Sequence, residues 1–483
     1  MAAVTRRARE VLPARALITD RIQLRTYECD GLAHYRVTPA LVVMPESTEQ
    51  LAAVIAACAE HRVPFVARGS GTGLSGGALP RADGVLIVTS RMRTIREVRR
   101  EDQRAVVQPG VINLDVTKAA TPYGYYYAPD PSSQQICSIG GNLAENSGGA
   151  HCLKYGFTTN HVLGAEFVTP AGDILQLGGL APDAPGYDLL GAVVGSEGTL
   201  GIATLVTVKL VRLPEEVRTL LCGFGSTDEA GAATSAIIGS GVLPAAIEMM
   251  DALSIEAAEA AVHCNYPEGA GAVLVIELDG AAVEVAHEFE AVERLCREHG
   301  AFEVRAATDA VERALIWKGR KSAFAAVGRI SPDYIVQDGV IPRTSLPEVL
   351  RAIAELSSSS GVRVANVFHA GDGNLHPLVL FDDAIDGAGE AADKVSGAIL
   401  DLCISHGGSI TGEHGVGIDK SAYMPKMFTD DDLDTMQLVR CAFDPLSIAN
   451  PGKVFPTPRL CGEIPGHKRG AHPLVEAGKA EAF

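Results

Sequence analysis

The chain has 483 residues, is 47% hydrophobic and 21% charged, and carries a formal charge of −18 from 59 acidic against 41 basic residues. That size and composition predict a buried core in two or three domains and exclude disorder as the main state. The acidic excess excludes a nucleic-acid partner, because neutralising phosphates takes a basic face.

The N-terminal stretch MAAVTRRARE is basic with no apolar run behind it, which argues against a secretory signal. Ser47-Thr48-Glu49-Gln50 reads as a capping box, and Leu51, Val54, Ile55 and Cys58 follow at helical spacing. Residues 62–67 read as a strand that runs into RGSGTGLSGG. Residues 164–169 and 174–177 predict a hairpin around Ala171-Gly172, and the β-branched run 202–211 predicts a long strand. Ala230 to Ile247 is the longest uncharged stretch, but its glycines, serines and Pro244 make it too polar to span a membrane, so membrane contact is at most peripheral. Beyond Pro214 the pattern is strand 219–224, helix 228–238, strand 246–250, strand 272–278, a helix lined by Val285, Phe289, Val292 and Cys296, and strand 302–306. This doubled βαβ order predicts a ferredoxin-like sheet. Residues 310–455 mix helices with short strands, and the tail 456–483 has no periodicity and reads as loose. The ten cysteines include no CxxC pair, which excludes an iron–sulfur ladder or zinc knuckle and predicts reduced thiols in a cytosolic protein.

Gly71-Thr72-Gly73-Leu74-Ser75-Gly76 fits GxGxxG, the fingerprint of a dinucleotide loop. Such a loop must open a helix whose N-terminus holds a pyrophosphate. Here Gly77-Ala78-Leu79-Pro80 follows, and proline with glycine prevents that helix. The loop therefore offers bare backbone N–H groups, an anion-binding nest. Two further glycine-rich stretches are PDPSSQQICSIGGNLAENSGG (129–149) and GSEGTLGI (195–202). Three such loops suit an extended ligand touched along its length.

RGSGTGLSGGALP, PDPSSQQICSIGGNLAENSGG, LKYG and GSEGTLGI resemble the FAD domain of flavoproteins of vanillyl-alcohol-oxidase type. The resemblance runs on through WKGRKSAFAAVGRISPDY, VANVFHAGDGNLHP and GEHGVG to NPGK. The whole pattern is similar to the FAD-linked oxidases that include the flavin subunit of bacterial glycolate oxidase and the D-lactate and D-2-hydroxyglutarate dehydrogenases. It implies an α+β fold, a two-subdomain FAD-binding domain with a ferredoxin-like cap or substrate domain. On that reading the chain divides into a segment 1–36, an FAD-binding domain 37–213, a cap domain 214–455 with a metal site, and the tail. By position, the resemblance implies that Gly69, Ser70, Gly71, Thr72, Gly73, Leu74 and Ser75, with Arg68 before them, cradle the pyrophosphate. Pro131, Ser132, Ser138, Gly140, Gly141 and Gly148 would lie along the flavin and ribityl chain. Gly195, Glu197, Gly198 and Ile202 would complete the adenine side. Some members tether FAD through a histidine in the first loop; Ser70 and Thr72 there imply a noncovalent flavin.

His369 and His376 bracket a six-residue loop with a turn signal at Asp372-Gly373, between strand-like runs 364–368 and 378–380. The two imidazoles can converge across it. Glu413 and His414 follow a short strand, 409–411, between Gly412 and Gly415. Two histidines and a carboxylate form a divalent-metal set with open positions, suited to Zn, Mn or Fe alike. Oxidising an α-hydroxy acid requires the hydroxyl proton to leave with the hydride. A metal on His369, His376 and Glu413 would lower the hydroxyl pKa, and His414 would take the proton. Family members carry the same HxGDGNxH and EHG motifs in those roles. Arg320, on a predicted helix, matches the family's substrate arginine, with Lys321 the weaker candidate. Relatives that oxidise larger hydroxy acids have asparagine two residues after the second histidine. Leu378 stands there in this chain, which favours a small acid.

The resulting expectation is oxidation of a small 2-hydroxy acid, glycolate to glyoxylate, with electrons passed to a partner subunit or quinone. The alternatives are D-lactate oxidation to pyruvate and a noncatalytic flavin subunit; a scaffold has no need of the histidine set. The resemblance also implies a second flavin-type subunit and an iron–sulfur subunit as partners. It places the chain in the cytoplasm, peripheral at the inner face of the membrane through them.

Overall fold

The computed structural model describes residues 1–32, 34–180 and 185–456. The tail expected to be loose lies outside them except for Pro456.

Three sheets organise the chain. In the first, Leu41–Val43, Val85–Val88 and Phe65–Arg68 run parallel, with Leu17–Ile18 added antiparallel at one edge. The sequences LVV, VLIV and FVAR are nearly unbroken apolar runs, as a parallel sheet covered on both faces requires. The helix Thr48–Glu60 covers one face, with Ser47 Oγ accepting the Gln50 N–H. The Gln50 side chain reaches back to the N–H of Glu46 rather than Ser47, so the predicted capping box closes one residue early. A helix at Ala2–Val11 adds buried Val4 and Ala8 to this core.

The second sheet is antiparallel, ordered Ile95–Arg99, Arg104–Val107, Ile202–Lys209, Val162–Val168, Ile174–Gly178. The expected hairpin is present, with Gly172 at φ +92° in its turn. The expected 202–211 strand stops at Lys209, because the Leu210 N–H turns away to the Gln103 carbonyl.

The third sheet begins Glu303–Ala306, Glu216–Phe224, Ala272–Gly280, Ala246–Asp251. Numbered along the chain that is 4-1-3-2 and wholly antiparallel, the expected ferredoxin-like order. An additional helix, Ala252–Val262, replaces the short hairpin between the second and third strands. The sheet then grows past the ferredoxin unit: Val364–His369 pairs with Ala246–Asp251 and places His369 opposite Glu248. Pro377–Phe381 and the two-residue strands Asn374–Leu375 and Gly339–Val340 extend it further.

The chain then returns to the first sheet. The Phe65 N–H donates to the Ile448 carbonyl, and the Asn450 N–H to the Phe65 carbonyl. Asn450 Nδ2 donates to the carbonyls of Gly77 and Glu197, and Lys453 Nζ to that of Leu79. Eight cysteines are free thiols, as expected, whereas Cys441 is bonded in a disulfide. Among the described residues no helix is long and apolar enough to cross a membrane.

Candidate active site

The three glycine loops line one cavity of about 1080 Å³. Residues 68–74 form one wall, and Pro131, Ser132, Ser138, Gly140 and Gly141 form a second. Glu197, Gly198 and Ile202 line the same cavity. The backbone is shaped for close approach. Gly71, Gly195 and Gly198 have φ of +73°, +77° and +69°, conformations that side chains resist. A Cβ on Gly69 would lie 2.2 Å from Ser138 Oγ, so the two loops touch where only glycine fits. A cavity of this volume, approached closely by glycine backbone, fits a dinucleotide.

Three of the expected cofactor residues lie off the cavity wall. Ser75 is buried behind the loop, where its carbonyl accepts the N–H groups of Ile418 and Asp419. Gly195 only shapes the turn before Glu197. Gly148 faces the histidine site instead, because a Cβ there would lie 2.8 Å from Glu413 Oε2. Glu197 lines the cavity, but its carboxylate is committed to the N–H groups of Val416 and Gly417 at 2.7 Å each.

His376, Glu413 and His414 line the same cavity. His369 ends its strand and His376 follows the Gly373 turn, where φ is +82°. Glu413 Oε1 lies 3.4 Å from His369 Nε2 and 3.1 Å from His376 Nε2. Ligands about 2.1 Å from a common ion sit roughly 3.0–3.4 Å apart, so these separations fit a metal site. Glu413 Oε2 is buried without a hydrogen-bond partner, as a free ligand oxygen would be. His369 Nδ1–H donates to Glu248 at 2.7 Å, which leaves the Nε2 lone pair facing the set. Carboxylates orient metal-bound histidines in this way. The fit holds for a divalent ion.

A second set, Asp338, His376 and His414, is equally compact. Its carboxylate is already occupied. Asp338 Oδ2 accepts from Thr411 Oγ1 and from the N–H groups of Gly412, Glu413 and His414, between 2.6 and 3.1 Å. Lys420 Nζ stands 3.6 Å away. Burial opposes the charge, but His414 and Lys420 overcome it and hold Asp338 well below the usual carboxylate range. Asp338 is therefore the organiser of the turn that presents Glu413 and His414. The expected strand at 409–411 is reduced to one bridge, Ser409 to Val340. The His414 ring stacks on His376 with centroids 5.1 Å apart, and burial pushes its pKa down to about 4, so the ring is neutral.

Arg320 occupies the expected helix, Ala310–Ala326, yet it turns from the cavity. It is 2% exposed and its Nη2 sits 2.6 Å from Glu248 Oε2. Lys321 and Phe324 face the cavity instead. Three acids escaped the motif reading: Glu248, Asp338 and Glu145. Glu145 lines the cavity; burial and the nearby Glu197 raise its pKa well above normal. The signal for Glu248 was available: it is the lone charge inside the apolar run AAIEMM.

Residues 39–178 match the family described as an FAD binding domain, and residues 213–454 match the C-terminal domain of FAD linked oxidases. The chain belongs to the FAD-linked oxidase family. This FAD-linked oxidase is 51% identical to glycolate oxidase subunit GlcD of Escherichia coli strain K12, over 94% of this chain and 91% of that one. It is 40% identical to GlcD of Bacillus subtilis strain 168, over 89% and 92%. It is 32% identical to D-lactate dehydrogenase of Anaerostipes hadrus, over 92% and 96%. Two solved structures share the fold at 16% identity and a TM-score of 0.77. One is 4-ethylphenol oxidase from Gulosibacter chungangensis, over 94% of this chain and 97% of that one; the other is p-cresol methylhydroxylase, over 93% and 96%. The FAD-linked oxidase is thus a flavoenzyme with a vanillyl-alcohol-oxidase-type FAD domain and a ferredoxin-like cap.

Proposed function

We propose that this FAD-linked oxidase oxidises glycolate to glyoxylate as the flavin subunit of a multi-subunit oxidase. One observation carries the chemistry: the ligand atoms of His369, His376 and Glu413 converge at the flavin-sized cavity, with His414 beside them. The half-identity to GlcD over nearly the whole chain supports the substrate. When bound, FAD supplies a hydride acceptor and a divalent ion supplies a Lewis acid that lowers the pKa of the substrate hydroxyl.

The protein's own residues do the rest. His369, His376 and Glu413 hold the ion, and Glu248 fixes the His369 tautomer. Asp338 holds Glu413 and His414 in one turn. His414 takes the hydroxyl proton at Nε2, the ring nitrogen on the Glu413 side. Phe324, edge-on to His376, excludes water from one side of the set. The flavin is held without a covalent bond, since Ser70 and Thr72 offer no attachment ring in the first loop. Electrons leave through a partner, an iron–sulfur subunit or a quinone, a reading supported by the likeness to a glycolate oxidase subunit. A cytoplasmic location, peripheral to the membrane through partners, accords with that role.

D-lactate is the second reading, favoured by the dehydrogenase relative at 32% identity. Anaerobic stopped-flow reduction of the bound flavin decides between them. Glycolate should bleach the flavin faster than either lactate enantiomer; faster bleaching by D-lactate would replace glycolate as the substrate, and no bleaching by any would end the proposal.

A further inference from the structure

We infer that Glu145 is a cofactor-binding residue of the flavin site: its carboxyl faces the cavity as the neutral acid and donates a hydrogen bond to FAD. The inference rests on the flavoenzyme assignment and is independent of which hydroxy acid is oxidised.

Glu145 is the last residue of the helix Ile139–Glu145, which Asn146 closes in a left-handed conformation at φ +52°. It is half-buried and lines the cavity. Bare backbone surrounds its carboxyl. Oε1 lies 2.6 Å from the place that a Cβ on Gly77 would take, and Oε2 lies 2.2 Å from that of Gly415. The side chain is thus wedged between the first glycine loop and the turn that follows His414, in room that only glycines leave. Oε2 is buried, yet Glu145 has neither a hydrogen bond nor an ion pair among the described residues.

The charged groups around it are already committed. Glu197 Oε1 lies 2.9 Å from the same Gly415 position, and that carboxylate takes the Val416 and Gly417 N–H groups. Asp30 takes those of Leu32 and Ala78. Lys453 Nζ donates to the Leu79 carbonyl, Lys420 Nζ stands 3.6 Å from Asp338, and Arg68 donates to the Cys29 carbonyl. An ionised Glu145 would be an unpartnered charge beside Glu197. Burial and Glu197 accordingly outweigh Lys453 and Lys420 and hold Glu145 well above the usual carboxylate range. A neutral carboxyl keeps one O–H to give. The glycine nest suits a negatively charged pyrophosphate, which would repel a carboxylate in this wall. Its oxygens, like the sugar and ring oxygens of FAD, can accept from a carboxyl.

The test titrates FAD into the deflavinated full chain and reads the dissociation constant from quenching of flavin fluorescence. At about pH 6, E145Q keeps a neutral donor and should bind FAD within about threefold of wild type. E145M keeps only the bulk and should bind it roughly 3- to 10-fold more weakly, the worth of one hydrogen bond. From about pH 6 to pH 9 wild type should lose affinity faster than E145Q, by up to about tenfold per pH unit, because FAD then binds only with uptake of a proton by Glu145. Lys453, lowered to about 8 by burial, titrates in the same range, so the readout is the difference between the two proteins and not the slope itself. E145M within about 1.5-fold of wild type, or E145Q as weak as E145M, would overturn the assignment. So would an E145Q pH profile that parallels wild type or falls more steeply. Thermal melts identify a variant that does not fold, and if E145M is one, the pH comparison with E145Q decides alone.

Discussion

Replacing His151 by glutamine tests how the cap is held to the flavin unit. His151 Nδ1 lies 2.9 Å from Asp130, in the Pro129–Pro131 loop, and Nε2 lies 3.2 Å from Glu277 in the cap strand. The ring stacks on Trp317, whose Nε1–H donates to Glu277 along with Thr219. Burial opposes a charge on this imidazole, but Asp130 and Glu277 outweigh it and raise its pKa well above the usual value. Lys321 is the other cation acting on Asp130. H151Q leaves two buried carboxylates facing a neutral amide. Removing one partner of a buried ion pair costs about 3–5 kcal/mol. Trp317 is the only tryptophan, so its fluorescence in a guanidinium titration reports this interface directly. A raised folded-state pKa contributes stability that is complete below the unfolded value and lost as pH rises through the folded one. The gap between wild type and H151Q should therefore be full near about pH 6 and shrink in alkali. A gap below about 1 kcal/mol in acid, or one that widens with pH, would refute a cationic clasp.

Other outcomes follow from the site. H376A should lower bound divalent metal roughly 10- to 100-fold or more in affinity while FAD stays bound, read by elemental analysis beside the flavin spectrum. D338N should loosen the 411–414 turn, costing about 3 kcal/mol of thermal stability by calorimetry, because amide groups now face donors that bonded a carboxylate. H414A should keep flavin and metal yet slow flavin reduction by roughly 10²- to 10⁴-fold in single-turnover mixing, with reoxidation unaffected. Acid precipitation should release all the flavin into the supernatant; colour left on the pellet would mean a covalent link.

Much of the fold was legible because its signals are local. The Ala171-Gly172 turn, the 4-1-3-2 order and the converging His369, His376 and Glu413 follow from periodicity, turn residues and short motifs. What escaped was long-range. Glu248 meets His369 only because strands 121 residues apart pair in one register. Asp338 acts on a turn 73 to 76 residues away. Nor does the motif announce that Arg320 pairs with Glu248 while its neighbour Lys321 lines the cavity. Two-residue strands such as Asn374–Leu375 carry no pattern that could announce them.

The return of residues 448–453 to the first sheet has a consequence for synthesis. Asn450 reaches the Gly77 carbonyl across 373 positions of sequence, and the cap is made in between. The flavin unit is therefore unfinished until the cap has been made: its loop at 69–77 emerges first, but the strand edge at Phe65 and the amide beneath Gly77 wait for residues 448–450. Such long-range closure is slow and leaves a sheet edge open in the meantime. Nascent or truncated chains ending before residue 448 should thus be the aggregation-prone species, and cofactor capture should wait until residues 448–453 are made.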